Sequence, residues 1–451
     1  MSEKPRYERP SLQRHRSGAM NKMGSFPGLR SKGQIDGVAV GELVERYGSP
    51  VFVFSQRTLE DRIRTLRDAM RLRWPRVQLA WSYKTNYLDA ICQIHHREGS
   101  WAEVVSGMEY ERAMRNGVPT SQIVFNGPYK DDASLERALV GQSMVNLDHY
   151  DELAAAERIA ERLGLRPKVG IRLNMSAGST PRWSRFGFNL DSGQAWDAVR
   201  RLLGGGKLDL AGIHCHLGTF VLDLDAYREA AGKLAAFANR LRDELGVKLD
   251  WLDVGGGFAS QSRLKSQYLP GEQATPPLSR YAEAVADGLR GLNTPPSEMP
   301  LLILETGRAL VDDAGTLITT VVANKRLPDG RRAVVVDAGV NTLFTSFWYQ
   351  HQIHPAVPLH GTPEPTVIYG PLCMNIDVVA DSLLFPPVEV GTHLLVGPVG
   401  AYNIPQSMQF IFLRPPAVLI SPRGEHGLIR RAEVLEDLVS LDRVPDWLRG
   451  E

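Results

Sequence analysis

Residues 77–86 read Val-Gln-Leu-Ala-Trp-Ser-Tyr-Lys-Thr-Asn, an apolar run that ends on a lysine, Lys84. The run has the length and composition of a short buried strand. A lysine at the end of such a strand has two interpretations. It is either an ion-pair partner whose ammonium reaches towards solvent, or an amine that forms a Schiff base with a carbonyl group.

Seven further apolar runs of similar length follow, and helix-like blocks separate them. They lie at residues 101–105, 123–126, 143–147, 168–173, 211–216, 251–254 and 301–305. Eight short strands that alternate with helices over about 250 residues predict an α/β fold, a (β/α)8 TIM barrel. Near-continuous hydrophobicity fits parallel strands that are buried on both faces. A doubly wound open sheet is the alternative.

The pattern changes after residue 314, where helix-like blocks become rare. Strand-like runs occupy residues 315–324, 332–336, 366–369, 393–396, 410–413 and 417–420. We therefore expect a barrel over residues 55–314 and a second, mostly β-strand domain over 315–451. An early apolar run at 51–54 predicts that segment 36–54 joins the β domain, and residues 1–35 have the composition of a disordered leader.

Overall charge and cysteine content exclude several classes of partner. The 451 residues include 52 basic and 51 acidic side chains, a net charge of +1, so we expect neither nucleic acid nor a membrane surface as a partner. No apolar run reaches membrane-spanning length. The three cysteines, Cys92, Cys215 and Cys373, lie far apart without metal-ligand spacing, which favours a reducing, cytoplasmic location and predicts no metal site.

Polar residues cluster at the carboxyl ends of the predicted strands, where barrels of this class have their active sites. They are Lys84, Glu103, Asn126, Arg172, His216, the glycines Gly255, Gly256 and Gly257, Glu305 and Arg308. Glycines let backbone N–H groups approach an anion, and an arginine suits phosphate geometry. Each feature also has a plain structural interpretation, but the set as a whole suits pyridoxal phosphate, with Glu305 at the ring nitrogen and His216 against the ring.

Several motifs in the same order strengthen this interpretation. They are Tyr83-Lys84-Thr85-Asn86, Glu103-Val104-Val105-Ser106-Gly107, Ser184-Arg185-Phe186-Gly187, His214-Cys215-His216-Leu217-Gly218-Thr219, Asp253-Val254-Gly255-Gly256-Gly257-Phe258, Glu305-Thr306-Gly307-Arg308, Asp337-Ala338-Gly339, Gly370-Pro371-Leu372-Cys373 with Asp377, and Gly400-Ala401-Tyr402. With them the chain resembles the fold-type III pyridoxal-phosphate decarboxylases, which include diaminopimelate and ornithine/arginine decarboxylases and share their barrel with alanine racemase.

The resemblance implies a role for individual residues. Lys84 carries the internal aldimine, His216 stacks on the ring and Glu305 pairs with the pyridine nitrogen. Cys373 matches a cysteine that reaches the site from the partner subunit and helps to return a proton, which implies a homodimer with shared active sites. The other implied cofactor residues are Glu103, Arg172, Thr219, Gly255, Gly256, Gly257, Gly307, Arg308 and Tyr402; the implied substrate residues are Arg308, Thr345, Tyr349, Cys373, Met374 and Tyr402.

The chain departs from the family at the positions that bind the distal end of the substrate. Met374 stands where diaminopimelate enzymes have glutamate and ornithine enzymes aspartate, Thr345 matches an arginine of the diaminopimelate enzymes, and Gln350 replaces an aspartate of the ornithine enzymes. Burying an unpaired ammonium group costs several kcal/mol. We therefore expect a substrate with a neutral, apolar or conjugated distal end, as in specialised-metabolite or siderophore pathways, for which Phe344, Phe347 and Trp348 are suitable neighbours.

Other functions stay open at this point. They are diaminopimelate decarboxylase proper, an amino acid racemase on the same barrel, and a regulator that binds pyridoxal phosphate without catalysis. A further interpretation takes His214 and His216 as metal ligands of a barrel hydrolase, which requires additional ligands at other strand ends.

Overall fold

The computed structural model describes residues 29–181 and 183–449. The leader predicted for residues 1–35 therefore lies mostly outside the described residues. The described part begins with two short paired strands, a helix, a buried strand and a long helix: β1 Gln34–Ile35, β2 Val38–Ala39, α1 Val40–Tyr47, β3 Val51–Ser55 and α2 Gln56–Arg71. Ser55 ends β3 and caps α2, because its hydroxyl accepts a hydrogen bond from the Thr58 amide.

Eight parallel strands then form a closed barrel, which confirms the predicted fold and excludes the open sheet. They are β4 Val77–Ser82, β5 Trp101–Val104, β6 Ile123–Phe125, β7 Met144–Leu147, β8 Lys168–Asn174, β10 Asp209–Cys215, β11 Trp251–Asp253 and β12 Leu301–Leu304; a short strand, β9 Phe188–Asn189, pairs with β8. Pairing of β12 with β4 and of β8 with β10 closes the ring.

Helices follow the strands around the outside of the barrel, as the alternating sequence pattern predicts. They are α3 Asp89–Arg97, α4 Gly107–Arg115, α5 Asp132–Val140, α6 Tyr150–Leu163, α7 Gln194–Gly205, α8 Leu224–Leu245, α9 Gly271–Ala274, α10 Leu278–Leu289 and α11 Arg308–Val311. Ser106 caps α4 by accepting from the Glu109 amide, while the Glu109 carboxylate accepts from Val105. This cap fixes the chain directly after β5, next to the barrel mouth.

A cluster in the barrel interior contains one large side chain, Trp251, that two glycines accommodate. Trp251 on β11 is buried; a Cβ atom at Gly212 on the neighbouring strand β10 would collide with its indole ring, and one at Gly170 on β8 would crowd it. Buried Ala80, Val124, Ala211 and Ile303 pack with Trp251 in the same cluster. The lower barrel is thus a packed core, which leaves the carboxyl ends of the strands for polar groups.

A second, mostly β domain follows the barrel. Its elements are β13 Gly315–Arg326, β14 Arg332–Val336, β15 Gln352–Pro355, β16 Glu364–Tyr369, β17 Val378–Phe385, β18 His393–Gly397, β19 Ala417–Ile420, β20 His426–Arg430 and α12 Leu435–Val439. The sheet runs in the order β17-β16-β14-β13-β3-β19-β20, and β18 pairs with both β13 and β15. Strand β3 therefore lies inside this sheet, although the barrel separates it from the others in sequence. The limits 36–54, 55–314 and 315–451 stay a proposal.

Within the second domain, one predicted strand is wrong and three strands were missed. Residues 410–413 make only an isolated bridge between Phe410 and Phe412, because Ile411 has φ +63°, which breaks an extended conformation. The missed strands are β15, β17 and β20. In the part of the chain that the structure describes, no helix has the length and apolarity needed to cross a membrane.

Candidate active site

Lys84 lies at the barrel mouth in a short 3-10 turn, Tyr83–Thr85, that directly follows β4. Its Nζ donates to Glu103 Oε2 at 2.5 Å, and Glu103 is buried at the end of the neighbouring strand β5. Burial by itself lowers the pKa of Lys84, but the carboxylates of Glu103 and Glu305 more than offset this and hold the pKa above its ordinary value. The amine is therefore a charged, partly accessible group in a ring of acids.

Glu305 follows β12 and lies in a buried group of titratable side chains. His214 Nε2 is 3.5 Å and His216 Nδ1 is 4.0 Å from Glu305 Oε2. Burial favours the neutral acid, but His214, Asp253 and Lys84 outweigh it and lower the pKa of Glu305. Burial and the neighbouring Glu305 charge raise the pKa of Asp253 well above its ordinary value. Of this buried pair, Glu305 is thus the stronger acid, and Asp253 is the one that burial and its neighbour hold towards the neutral form.

The same group contains the donor atoms that a metal site requires. Ligand atoms of His214, Asp253 and Glu305 all lie within 4.8 Å of one another. The metal-site interpretation named His214 and His216 and required further side chains; Asp253 and Glu305 lie beside His214. His216, its other suggested ligand, has a different position, described next.

His216 follows β10 and has an uncharged ring. Its Nδ1 accepts from the Gly256 amide at 3.1 Å, and its ring centroid lies 5.6 Å from that of Trp183. Burial, reinforced by the charge of Arg172, lowers the pKa of His216 to about 3. The Gly256 amide and the Trp183 indole together hold this neutral imidazole in place, so that it offers a flat, rigid surface. Trp183 was not identified from sequence.

The glycine run after β11 approaches two other backbone segments too closely for any side chain. A Cβ atom at Gly256 would collide with the Glu305 carbonyl oxygen, and one at Gly257, where φ is +90°, with that of Gly218. Gly307 is equally constrained, because its Cβ would collide with the Thr85 hydroxyl. These loops therefore pack backbone against backbone around the mouth.

Arg308 is the first residue of α11 and is buried among aromatic rings. Its guanidinium carbon lies 4.7 Å from the centroid of Tyr349 and 4.8 Å from that of Tyr402. Arg308 Nε has no hydrogen-bond partner among the described residues, and Nη1 lies 3.5 Å from Asp312 Oδ2. A buried cation with a free donor is suited to bind an anion.

Asp312 is a residue of this site that sequence reasoning missed. Its Oδ2 accepts from the Ser260 hydroxyl at 2.5 Å and the Ser262 hydroxyl at 2.8 Å, and its Oδ1 accepts from the Ala401 amide at 3.2 Å. One carboxylate thus ties together α11, the loop after the glycine run and the segment that carries Tyr402. No motif includes Asp312, so it could not be identified from the sequence.

Tyr402 comes from the β domain to the lysine turn. Its amide donates to the Thr85 carbonyl at 2.8 Å, and Asn86 Nδ2 donates to the Gly400 carbonyl at 3.0 Å. Arg172 on β8 is buried, with its guanidinium 3.5 Å from Asp148 and over the ring of Phe186. The structure therefore brings most of the predicted cofactor residues to one end of the barrel. Thr219 follows Gly218, whose carbonyl lies next to Gly257, and its side chain is exposed to solvent.

The residues predicted to bind the distal end of a substrate differ in their burial and in their hydrogen bonds. Thr345 is buried, and its hydroxyl donates to Asn403 Oδ1 at 2.9 Å and lies 3.1 Å from His351 Nε2. Its polar atoms are thus committed to a network within the chain. Tyr349 is buried beside Arg308, and Met374 is partly buried.

Cys373 lies on an exposed turn that an aspartate fixes in place. Asp377 Oδ2 accepts from the Leu372 amide at 2.7 Å, and Asp377 Oδ1 accepts from the Val340 amide at 2.8 Å. Gly370 leaves room for this carboxylate, since a Cβ there would collide with it. The thiol of Cys373 faces solvent in the single chain.

Comparisons with known proteins agree with this arrangement. A family model described as "Pyridoxal-dependent decarboxylase, pyridoxal binding domain" matches residues 57–312. The chain is 29% identical to the diaminopimelate decarboxylase of Bacillus subtilis, over 91% of this chain and 94% of the relative. It is 31% identical to that of Methanocaldococcus jannaschii, over 92% and 95%. The crystal structure of the M. jannaschii enzyme in complex with L-lysine superposes with a TM-score of 0.83, at 29% identity and 92% and 96% coverage.

Proposed function

Because the chain belongs to the family of pyridoxal-dependent decarboxylases, we propose that it releases the α-carboxylate of an amino acid whose distal end is neutral, apolar or conjugated. Pyridoxal phosphate, when bound, supplies a carbonyl group that condenses with an amine and a ring that accepts the electrons of a broken Cα bond. The protein holds the cofactor, orients the substrate and delivers a proton.

The residues at the barrel mouth fit this cofactor. A buried arginine, Arg308, has an unused donor, and the glycine run Gly255, Gly256 and Gly257 packs its backbone closely at the mouth, where a side chain would crowd neighbouring atoms. Lys84 offers a primary amine within the same ring of strand ends. An amine, an anion site and a buried ionised carboxylate are the three groups that this cofactor requires.

We assign the holding residues from these properties. Lys84 would bind the aldehyde, and Glu305, which is ionised, would accept a hydrogen bond from the ring nitrogen. The glycine run, Arg308 and Tyr402 would hold the phosphate, and the neutral ring of His216 would support one face of the cofactor. Glu103 keeps the lysine amine in position when it is free.

Cys373 supports the proposal that the active protein is a homodimer. A proton donor for Cα has to work in a site from which water is excluded. In the single chain this thiol is exposed, and so are Ile376 and Trp348. A second copy that covers this surface would bring Cys373 against the site of its partner.

The substrate part of the proposal depends on two side chains. Met374, next to Cys373, carries no charge, and the hydroxyl of Thr345 is already bound to Asn403. Neither residue can pair with a distal ammonium or carboxylate group. Phe344, partly buried, packs with Phe347 and Trp348 at ring-centroid distances of 5.5 and 5.1 Å, which suits an apolar or planar group.

Diaminopimelate is the second candidate substrate, because both relatives compared above are named diaminopimelate decarboxylases and match more than 90% of this chain. An enzyme of this kind needs charged partners for the distal end of that substrate. They would have to come from positions other than 345 and 374.

Release of carbon dioxide from a panel of amino acids decides between the two candidates. We expect turnover of at least one substrate with a neutral or conjugated distal end, and a kcat/KM for meso-diaminopimelate lower by roughly 100-fold or more, because a buried charge without a partner costs several kcal/mol. Optical rotation of the recovered substrate, measured in parallel, detects a racemase.

Two variants serve as controls. Lys84→Ala should abolish release from every substrate, while Met374→Glu should improve turnover of substrates with a distal amino group. Efficient decarboxylation of meso-diaminopimelate by the unchanged protein would contradict the proposed substrate class and leave the decarboxylase activity in place.

A further inference from the structure

A single buried amide lies between the two carboxylates of the site. Asn126 directly follows β6, and its backbone N–H donates to the Val104 carbonyl at 2.9 Å. Its side-chain Nδ2 donates to Glu103 Oε1 at 3.2 Å and also to Glu305 Oε1. Asn126 therefore contacts the partner of Lys84 and, on the other side, the carboxylate assigned to the ring nitrogen.

A neighbouring indole fixes which way this amide points. Trp251 Nε1, which can only donate, lies 3.4 Å from Asn146 Oδ1. Asn146 Nδ2 in turn donates to Asn126 Oδ1 at 2.9 Å. The oxygen of Asn126 is thus taken up by Asn146, and both N–H groups remain for the carboxylates.

The amide separates two like charges in a buried site. Glu103 has Lys84 as its counter-ion, but Glu305 has no lysine or arginine at salt-bridge distance among the described residues. A hydrogen bond donated to a carboxylate favours its ionised form. The titratable groups that face Glu305 from the neighbouring strands are Lys84, Glu103, His214, His216 and Asp253.

We propose that Asn126 is a positioning residue that couples the lysine end of the site to the ring-nitrogen end. It holds Glu103 towards Lys84 and keeps Glu305 ionised and aimed at the ring nitrogen. The proposal rests on the role assigned to Glu305 above.

The test is the replacement of Asn126 by an isosteric side chain, Asn126→Leu, in the cofactor-loaded protein. The cofactor should still attach to Lys84, detected as a borohydride-reducible adduct. The acidic transition in its visible spectrum should move to higher pH by about one unit, because Glu305 loses a donor that stabilises its anion. We expect kcat to fall about tenfold or more and KM to change little, since the affected charge acts on the ring electrons.

Asn126→Asp provides an independent readout with the same side-chain shape. While it is ionised, this aspartate cannot donate and adds a negative charge beside Glu103 and Glu305, so the spectral transition should move at least as far as in Asn126→Leu. As the pH falls, the aspartic acid regains a proton and can donate again. The Asp variant, but not the Leu variant, should then approach the unchanged protein.

Asn239→Leu is the matched control on the outside of the barrel. Asn239, on α8, donates to the Gly291 carbonyl at 2.8 Å and accepts from the Asn293 amide at 2.8 Å. Its replacement should lower stability and leave the spectral titration unchanged.

Two outcomes of these experiments would contradict different parts of the argument. If either Asn126 variant folds, binds the cofactor and titrates like the unchanged protein, the positioning role is wrong. If the unchanged protein itself forms no borohydride-reducible adduct, the assignment of Lys84 fails instead. Should Asn126→Leu not fold, the pH response of Asn126→Asp alone decides.

Discussion

Asp312 is the buried charge on which three loops of the site converge. It accepts hydrogen bonds from Ser260, Ser262 and Ala401 and lies 3.5 Å from Arg308. Its carboxylate thus holds the arginine and the segment before Tyr402 at a fixed distance from the glycine run. The phosphate site proposed above would therefore depend on Asp312 as a residue that supports Arg308 from behind.

Asp312→Asn should weaken cofactor binding, because an amide offers an N–H group where a carboxylate accepts from three donors. We expect the dissociation constant of pyridoxal phosphate to rise about tenfold or more and the free energy of unfolding to fall by roughly 1–3 kcal/mol. Fluorescence titration and urea unfolding measure the two effects. Asp313→Asn is the control, since Asp313 pairs with Arg62 at 2.5 Å instead; equal cofactor affinity in both variants would remove this role from Asp312.

Single site residues could be predicted from the sequence where they lie at the carboxyl end of a barrel strand. Lys84, Glu103 and Glu305 follow from the rule that polar groups at the carboxyl ends of barrel strands meet at one mouth. The hydrogen bonds of Asn126 to Glu103 and Glu305, and those that Asp312 accepts, were not predicted. They depend on which side chains face each other across neighbouring loops. Thr345 shows the same limit: its position in the motif was visible, but its hydrogen bonds to Asn403 were not.

Helix α3 packs on the lysine strand through an unusual ring contact. The imidazole of His95 stacks on the indole of Trp81, with centroids 3.7 Å apart and planes inclined by 13°. Neither nitrogen of His95 has a hydrogen-bond partner in the described part of the chain. Burial lowers the pKa of His95 well below its ordinary value, so the ring is neutral in the folded protein.

His95 should make the protein less stable in mild acid. Its folded pKa lies below the unfolded value of about 6.5, so its contribution is complete above that pH and is lost as the pH falls, by up to about 1.4 kcal/mol per pH unit. His95→Leu should flatten the dependence of the unfolding free energy on pH between pH 7 and 5, measured in urea. Replacement of the exposed His360 by Gln is the control, and an unchanged slope in His95→Leu would contradict the prediction.

Elements of the barrel were easier to predict than those of the β domain, for a physical reason. Parallel barrel strands are buried on both faces and appear as continuous apolar runs. Strand β17 mixes buried, partly buried and exposed residues without regular alternation and includes the exposed Asp381 and Ser382, so it does not appear as an apolar run in the sequence. Residues 410–413 are apolar yet partly exposed, and their hydrophobicity does not reveal the left-handed conformation at Ile411.

On the scale of the whole molecule, the exposed Cys373 and the partly buried Lys84 of one chain can belong to different active sites. If a dimer shares its sites, Lys84→Ala and Cys373→Ala damage different halves of each site. Mixing the two inactive variants under exchanging conditions should restore about a quarter of the activity, since about half of the dimers are mixed and each has one intact site. No recovery, with mixed dimers shown by mass, would place Cys373 in its own chain's site.

Strand β3 has a consequence for how the molecule is made. It is synthesised before the barrel, yet its two neighbours, β13 and β19, leave the ribosome only after the barrel is complete. During translation, β3 is therefore an apolar strand without partners until the carboxyl-terminal third of the chain has been synthesised. An unpaired apolar strand is a site for aggregation and chaperone binding. A nascent chain halted before residue 417 should depend on chaperones far more than the finished protein does.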